Sequence, residues 1–179
     1  MIAQHYLEDV LVQFKKLKVM GDKALAQVDE EQFFATLDPE SNSLALIMKH
    51  MSGNMRSRWT DFLTTDGEKP DRHRDTEFER DTADTRVQLF SRWEHGWSLV
   101  FGAVAALTPA DLEKSITIRG ESHTVVEALN RQLSHYAQHV GQIVFLAKHL
   151  AGPNWKTLSI PRGKSEQFEV AKTGKLRTV

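Results

Sequence analysis

His135 and His139, in the stretch SHYAQHVGQI, stand four residues apart. On a helix that spacing places both imidazoles on one face, where together they can grip a single ion. Eight histidines scattered over 179 positions give roughly 0.3 such pairs by chance. The spacing alone therefore leaves two readings open, a metal site or two polar residues that share a face. Position 136 is tyrosine, where the HExxH protease pattern needs glutamate, and no glutamate has a histidine three residues later, as a di-iron bundle requires. The chain has no cysteine, so disulfides, thiolate ligands and cysteine nucleophiles drop out and any ion must sit on histidine and oxygen.

A third ligand has to come from elsewhere. With Leu129 as zero on a helical wheel, Leu133, Tyr136, Val140, Ile143 and Ala147 form an apolar stripe, and the two histidines lie on its flank at about 240° and 280°. Ala128 and Leu146 share that flank. In LALIMKHMSGNMRSRWTDFL, with Leu44 as zero, Ile47, Met48, Met51, Met55 and Phe62 form the stripe and His50 falls near 240°. His50 thus holds an equivalent position on another helix, and adjacent helix axes lie only about 8 to 10 Å apart. Three imidazoles from two helices leave at least one coordination position open, as a catalytic site needs.

The elements that must position these residues follow from periodicity. Leu7, Val10, Leu11, Phe14 and Leu17 predict a first helix over residues 1 to about 28. DPESNS, with its proline and capping residues, opens a second at about 43 to 63. TTDGEKPDRHRDTEFERDTAD is polar and aperiodic, a connection of roughly twenty residues that lets two successive helices run parallel. A third helix is expected over about 81 to 107, carried by Val87, Phe90, Trp93, Trp97, Val100, Phe101 and Val104, and a fourth from near Ser122 to about 150, ended by Gly152-Pro153. The expectation is an all-α four-helix bundle, up-down-down-up, over residues 1–150. Residues 151–179 are expected to form an irregular tail packed on the bundle, and from Asn154 onward they carry six basic residues against two acidic. SITIR is the one candidate for a short extended piece.

Composition narrows the function. Hydrophobic residues at 40 % and charged residues at 26 % describe a globular domain. The formal net charge of −1 offers no global field toward nucleic acid or an anionic membrane, and neither partner is expected. His5, Glu8 and Asp9 interrupt the apolar core a signal peptide would need, so a cytoplasmic location is the default expectation.

The bundle order, the histidine near the start of the second helix and HxxxH in the fourth resemble the DinB-like superfamily of metal-dependent bundles over about residues 1 to 150. KHMSGNMRSRWTDFLTTDGEKP, HYAQHVGQI and LSIPRGKS are most similar to an uncharacterised bacterial subgroup of it. The resemblance implies a divalent ion, zinc or nickel, on His50, His135 and His139. It also implies a small-molecule substrate, a low-molecular-weight thiol cosubstrate such as bacillithiol or mycothiol in transfer or isomerisation chemistry, and a homodimer, which the general frequency of two-fold dimers also favours. The alternative is a metal-binding or stress-related bundle without turnover.

Other residues carry less. Asn54, one turn after His50, is either solvated or orients a ligand, and Gln138 and Gln142 share that ambiguity. Trp93 and Trp97 have core spacing. His5, His73, His95, His123 and His149 have no partner spacing. RGKS fails the phosphate-loop pattern because position 158 is leucine. Arg162 and Lys164 of the tail are candidates to cover the bundle mouth and hold an anionic cosubstrate, against the plainer expectation that the tail packs outside.

Overall fold

A computed structural model describes residues 2–165 of the chain. The protein is mostly helical. Five helices, α1 (Ile2–Leu25), α2 (Glu30–Phe34), α3 (Leu44–Trp59), α4 (Arg86–Ala106) and α5 (Val125–Ala151), are joined by a small antiparallel hairpin, β1 (Ser115–Ile118) and β2 (Glu121–Thr124).

Local chemistry sets the boundaries. Ser43 and Thr85 cap α3 and α4 through their hydroxyls, and Thr124 forms a reciprocal box with Glu127 at the start of α5. The first helix, expected to about residue 28, is slightly shorter. It ends at Leu25, and Asp29 and Gln32 exchange side chain–backbone hydrogen bonds that start the separate helix α2. The all-α expectation is corrected by the hairpin. Arg119 and Gly120 both take positive φ, 55° and 76°, the two-residue turn that matches the twist of paired strands. SITIR therefore holds β1, Ser122 belongs to β2, and α5 starts later than the predicted fourth helix.

The long helices meet through specific pairs. Tyr6 of α1 hydrogen-bonds Asn130 near the start of α5 at 2.7 Å, while Gln27, just beyond α1, bonds Lys156 just beyond α5. Those two helices run the same way. On α3 and α4, Lys49 bonds Asp84 just before α4, and farther along Gly96 lies against Met55. Lys18 of α1 reaches Glu94 of α4 and Asp22 accepts from the Trp93 indole, whereas Arg86 reaches back to the Leu25 carbonyl, so α1 and α4 are antiparallel.

The core is continuous and aromatic at its centre. Phe14, Trp93, Trp97 and Tyr136 are fully buried. Phe14 meets Trp59 edge-on at 5.6 Å and Trp97 meets Tyr136 at 5.7 Å, within the range where aromatic pairs add stability beyond their buried area. The two tryptophans of α4 are packing residues, as their spacing suggests.

The polar connection between α3 and α4 is ordered against α3. It contains a single 3-10 turn, Asp75–Phe78, and lies along one side of that helix, where Ser57 and Arg58 are buried against it. Ser57 donates to the Gly67 carbonyl and accepts from the Lys69 amide. Such pairing is what burial of polar groups demands.

Candidate metal centre

Antiparallel packing of α3 against α5 brings together the three histidines singled out by spacing. One ligand nitrogen from each of His50, His135 and His139 lies within 4.8 Å of the others. His135 Nε2 is 3.4 Å from His50 Nε2 and 3.0 Å from His139 Nε2. Ligand nitrogens about 2.05 Å from a tetrahedral zinc ion stand about 3.3 Å apart, so the observed spacing fits a single small cation. The other five histidines lie outside the cluster.

The remaining ring nitrogens explain the orientation. His50 Nδ1–H donates to Glu77 Oε2 at 2.8 Å, and His139 Nδ1–H donates to Gln142 Oε1 at 2.7 Å. Each of these bonds fixes the tautomer with the Nε2 lone pair aimed inward, the carboxylate–histidine and amide–histidine support that metal-binding imidazoles use. His135 can direct one Nε2–H at only one of the two lone pairs, and its buried Nδ1 has no partner. A cation accepts all three lone pairs at once. Burial, then the nearby His139 and His50, pulls His135 down to about 3, and burial likewise lowers His139. Both are held neutral, the form that binds metal.

Glu77 is the residue sequence reading did not find. It lies in the connection between α3 and α4, and only the fold brings it to His50. Arg72 grips both its oxygens at 2.8 and 2.9 Å. Burial pushes the Glu77 carboxyl up, but the bonds from His50 and Arg72 outweigh it and hold the group below the usual range, ionised. Phe78, next in the same turn, stacks on the His50 ring at 4.7 Å. Gly53 makes this approach possible. A side chain there would put its Cβ 2.8 Å from Glu77 Cδ.

Beneath the histidines lies a buried amide–phenol network. Tyr136 donates to Asn54 Oδ1 at 3.0 Å and accepts from Trp59 Nε1 and Gln132 Nε2 at 2.9 and 3.0 Å. Gln132 also donates to Asn54 Oδ1. Asn54 is therefore 5 % exposed and tied to α5, not solvated. Of the two glutamines with ambiguous roles, Gln142 orients His139 and Gln138 borders the site.

The histidines open onto a cleft of about 460 Å³. Its border is polar and basic, with Arg58, Arg72, Arg74, Arg119 and Arg131 around it. Among the described residues, the two tail candidates for covering this mouth do not reach it. Arg162 and Lys164 are exposed and border no part of the cleft, and Trp155 and Leu158 instead pack on the core. The part of the tail from residue 166 onward lies outside the described residues.

Comparison with known proteins adds the family. Residues 1–164 match the model described as "Protein of unknown function (DUF1572)". The chain belongs to the DUF1572 family. The match covers both helices of the histidine site and the whole α3–α4 connection. Neither the comparison with curated proteins nor that with solved structures found a match. Among the described residues, no helix is long and apolar enough to cross a membrane.

Proposed function

We propose that this DUF1572 protein is a metal-dependent enzyme of the DinB-like type, in which His50, His135 and His139 hold one divalent ion, zinc or nickel. Its four long helices are read as an up-down-down-up bundle, supported by the parallel pairing of α1 with α5 and of α3 with α4. The observation that carries the function is the convergence of three imidazole nitrogens, two with their tautomers fixed from behind, at the edge of an open cleft.

When bound, a divalent ion supplies Lewis acidity that makes a small thiol or water nucleophilic at neutral pH and polarises a substrate oxygen. The protein's own residues do the positioning. Glu77 and Gln142 hold His50 and His139 in register, and Arg72 keeps Glu77 ionised. The Tyr136–Asn54–Gln132 network fixes α3 against α5 so that the three rings stay in place. Three protein ligands leave room for an exchangeable one, and His135 and His139 are only half-buried beside the cleft. Both features favour turnover over a closed structural staple, the reading in which the ion only ties α3 to α5.

A low-molecular-weight thiol is the proposed cosubstrate, and the absence of cysteine makes it directly testable. Cobalt(II)-reconstituted protein has no thiolate of its own, so a sulfur-to-cobalt absorption band in the near ultraviolet on adding 2-mercaptoethanol must come from the added thiol. The expected result is a saturable band with wild type and none with His135→Ala. Cobalt uptake without any thiol band would eliminate the thiol role. Failure to take up cobalt would eliminate the metal centre.

A further inference from the structure

The arginines around the cleft have more charge than the fold uses. Arg58 and Arg119 share Glu68, and Arg72 is held by Glu77 with a longer contact to Glu68. Two carboxylates thus serve three guanidinium groups, and neither borders the cleft, which has no acidic residue on its edge. Arg74 lies over the Phe78 ring at 5.1 Å, and among the described residues its carboxylate neighbour is Asp75, 3.9 Å away and 99 % exposed. Arg131, one turn before His135 on α5, is exposed. Clustered like charges repel one another, and in a chain of net charge −1 this cluster is a local feature. Arg58 is 4 % exposed and borders the cleft, yet its buried Nε–H has no hydrogen-bond partner.

Backbone conformation contributes too. Arg119 sits in the left-handed region, at φ 55°, where a non-glycine residue is uncommon. Asp66 holds it there by accepting from the Arg119 and Gly120 amides at 2.9 Å each. The hairpin turn, which carries no part of the histidine cluster, is thereby fixed with its arginine at the cleft edge.

We infer that the cleft is an oxyanion subsite, and that the substrate is a small molecule bearing a carboxylate or phosphate. Arg131, Arg74 and Arg119 receive the anionic group while the reacting end faces the histidines. Guanidinium groups match both anions through paired N–H donors, and the neutral polar edge formed by Gln132, Ser134 and Gln138 suits a hydrophilic ligand. The cleft volume, about 460 Å³, is that of a small-molecule site. That this ligand is a substrate rests on the metal-dependent reading above; that an anion binds rests on the arginines alone.

The test is calorimetric titration of the full chain, metal-stripped and zinc-loaded, with succinate and with inorganic phosphate at fixed low ionic strength. Wild type is compared with Arg131→Gln, Arg74→Gln and, as a control, Arg56→Gln, an exposed α3 arginine paired with Asp71 away from the cleft. At least one of the two anions is expected to bind metal-stripped wild type, with succinate or phosphate preference telling carboxylate from phosphate recognition. Arg131→Gln is expected to weaken it about tenfold or more with zinc content unchanged, and Arg56→Gln to leave it unaltered. No binding of either anion, or equal weakening by Arg131→Gln and Arg56→Gln, would overturn the inference. Anion binding by a protein that takes up no zinc would refute the metal reading and leave the subsite standing.

Discussion

Gly53→Ala is a substitution whose ordinary effect and expected effect here have opposite signs. In a helix interior, alanine is favoured over glycine by up to about 1 kcal/mol. Here the added Cβ would stand 2.8 Å from Glu77 Cδ, and closer still to its Oε1. Ordinary carbon contacts are about 3.5–4.0 Å, so the carboxylate must retreat by about 1 Å. Glu77 Oε2 is 2.8 Å from His50 Nδ1, and a 1 Å retreat takes that bond beyond hydrogen-bond range. His50 would lose the partner that fixes its tautomer, a loss that costs about 10- to 100-fold in metal affinity. Zinc affinity measured by competition with a chromophoric chelator, beside thermal unfolding of the metal-stripped protein, separates the two effects. The expected outcome is weaker zinc binding of that size, with Glu77→Gln weakened in the same direction. A Gly53→Ala protein that binds zinc as tightly as wild type would refute the role given to Glu77.

Two further outcomes follow from buried polar groups. Tyr136→Phe removes the hydroxyl that accepts from Trp59 and Gln132; Gln132 keeps Asn54, but leaving the buried Trp59 indole N–H without a partner costs about 1–3 kcal/mol, and an unaltered melting temperature would contradict the network. Asp84 is buried with Lys49 and Arg92 on its carboxylate at 2.7 and 2.9 Å. Burial pushes its carboxyl up, but the bonds from Lys49 and the Asp81 amide and the Arg92 charge hold it below the usual range. A carboxylate with a depressed folded-state pKa contributes stability above its unfolded value, about 3.9, and that contribution is lost as pH falls through the folded value. Asp84→Asn should therefore be less stable at neutral pH and show a shallower acid limb between about pH 5 and 2, measured by urea unfolding at several pH values; parallel acid limbs would refute the assignment.

Periodicity in the sequence placed the four long helices within a few residues, because each has an apolar stripe and three open on a hydroxyl cap or a proline-containing breaker. It also placed His50, His135 and His139 on inward flanks. The rest of the site depends on long-range packing that no local pattern encodes. Glu77 lies in an aperiodic polar stretch, and its value comes from folding back onto Gly53. Asn54 was left open between a solvated and an orienting residue because the wheel of α3 alone does not show that Tyr136 and Gln132 of α5 close over it. SITIR signals the first strand of the hairpin, but its turn is marked only by Arg119-Gly120, a weaker pair than asparagine-glycine. The short helix α2 was legible in principle from the Asp29–Gln32 spacing, but it falls between the first two expected helices, where no apolar period marks it.

The central claim is that three histidines from two helices hold one divalent ion. Elemental analysis by mass spectrometry, on untagged wild type beside His50→Ala, His135→Ala and His139→Ala after zinc or nickel reconstitution and desalting, tests it most directly. The expected result is close to one metal ion per chain in wild type, lost in each variant while its helical content is retained. Wild type that retains no metal, or variants that retain as much as wild type, would contradict it.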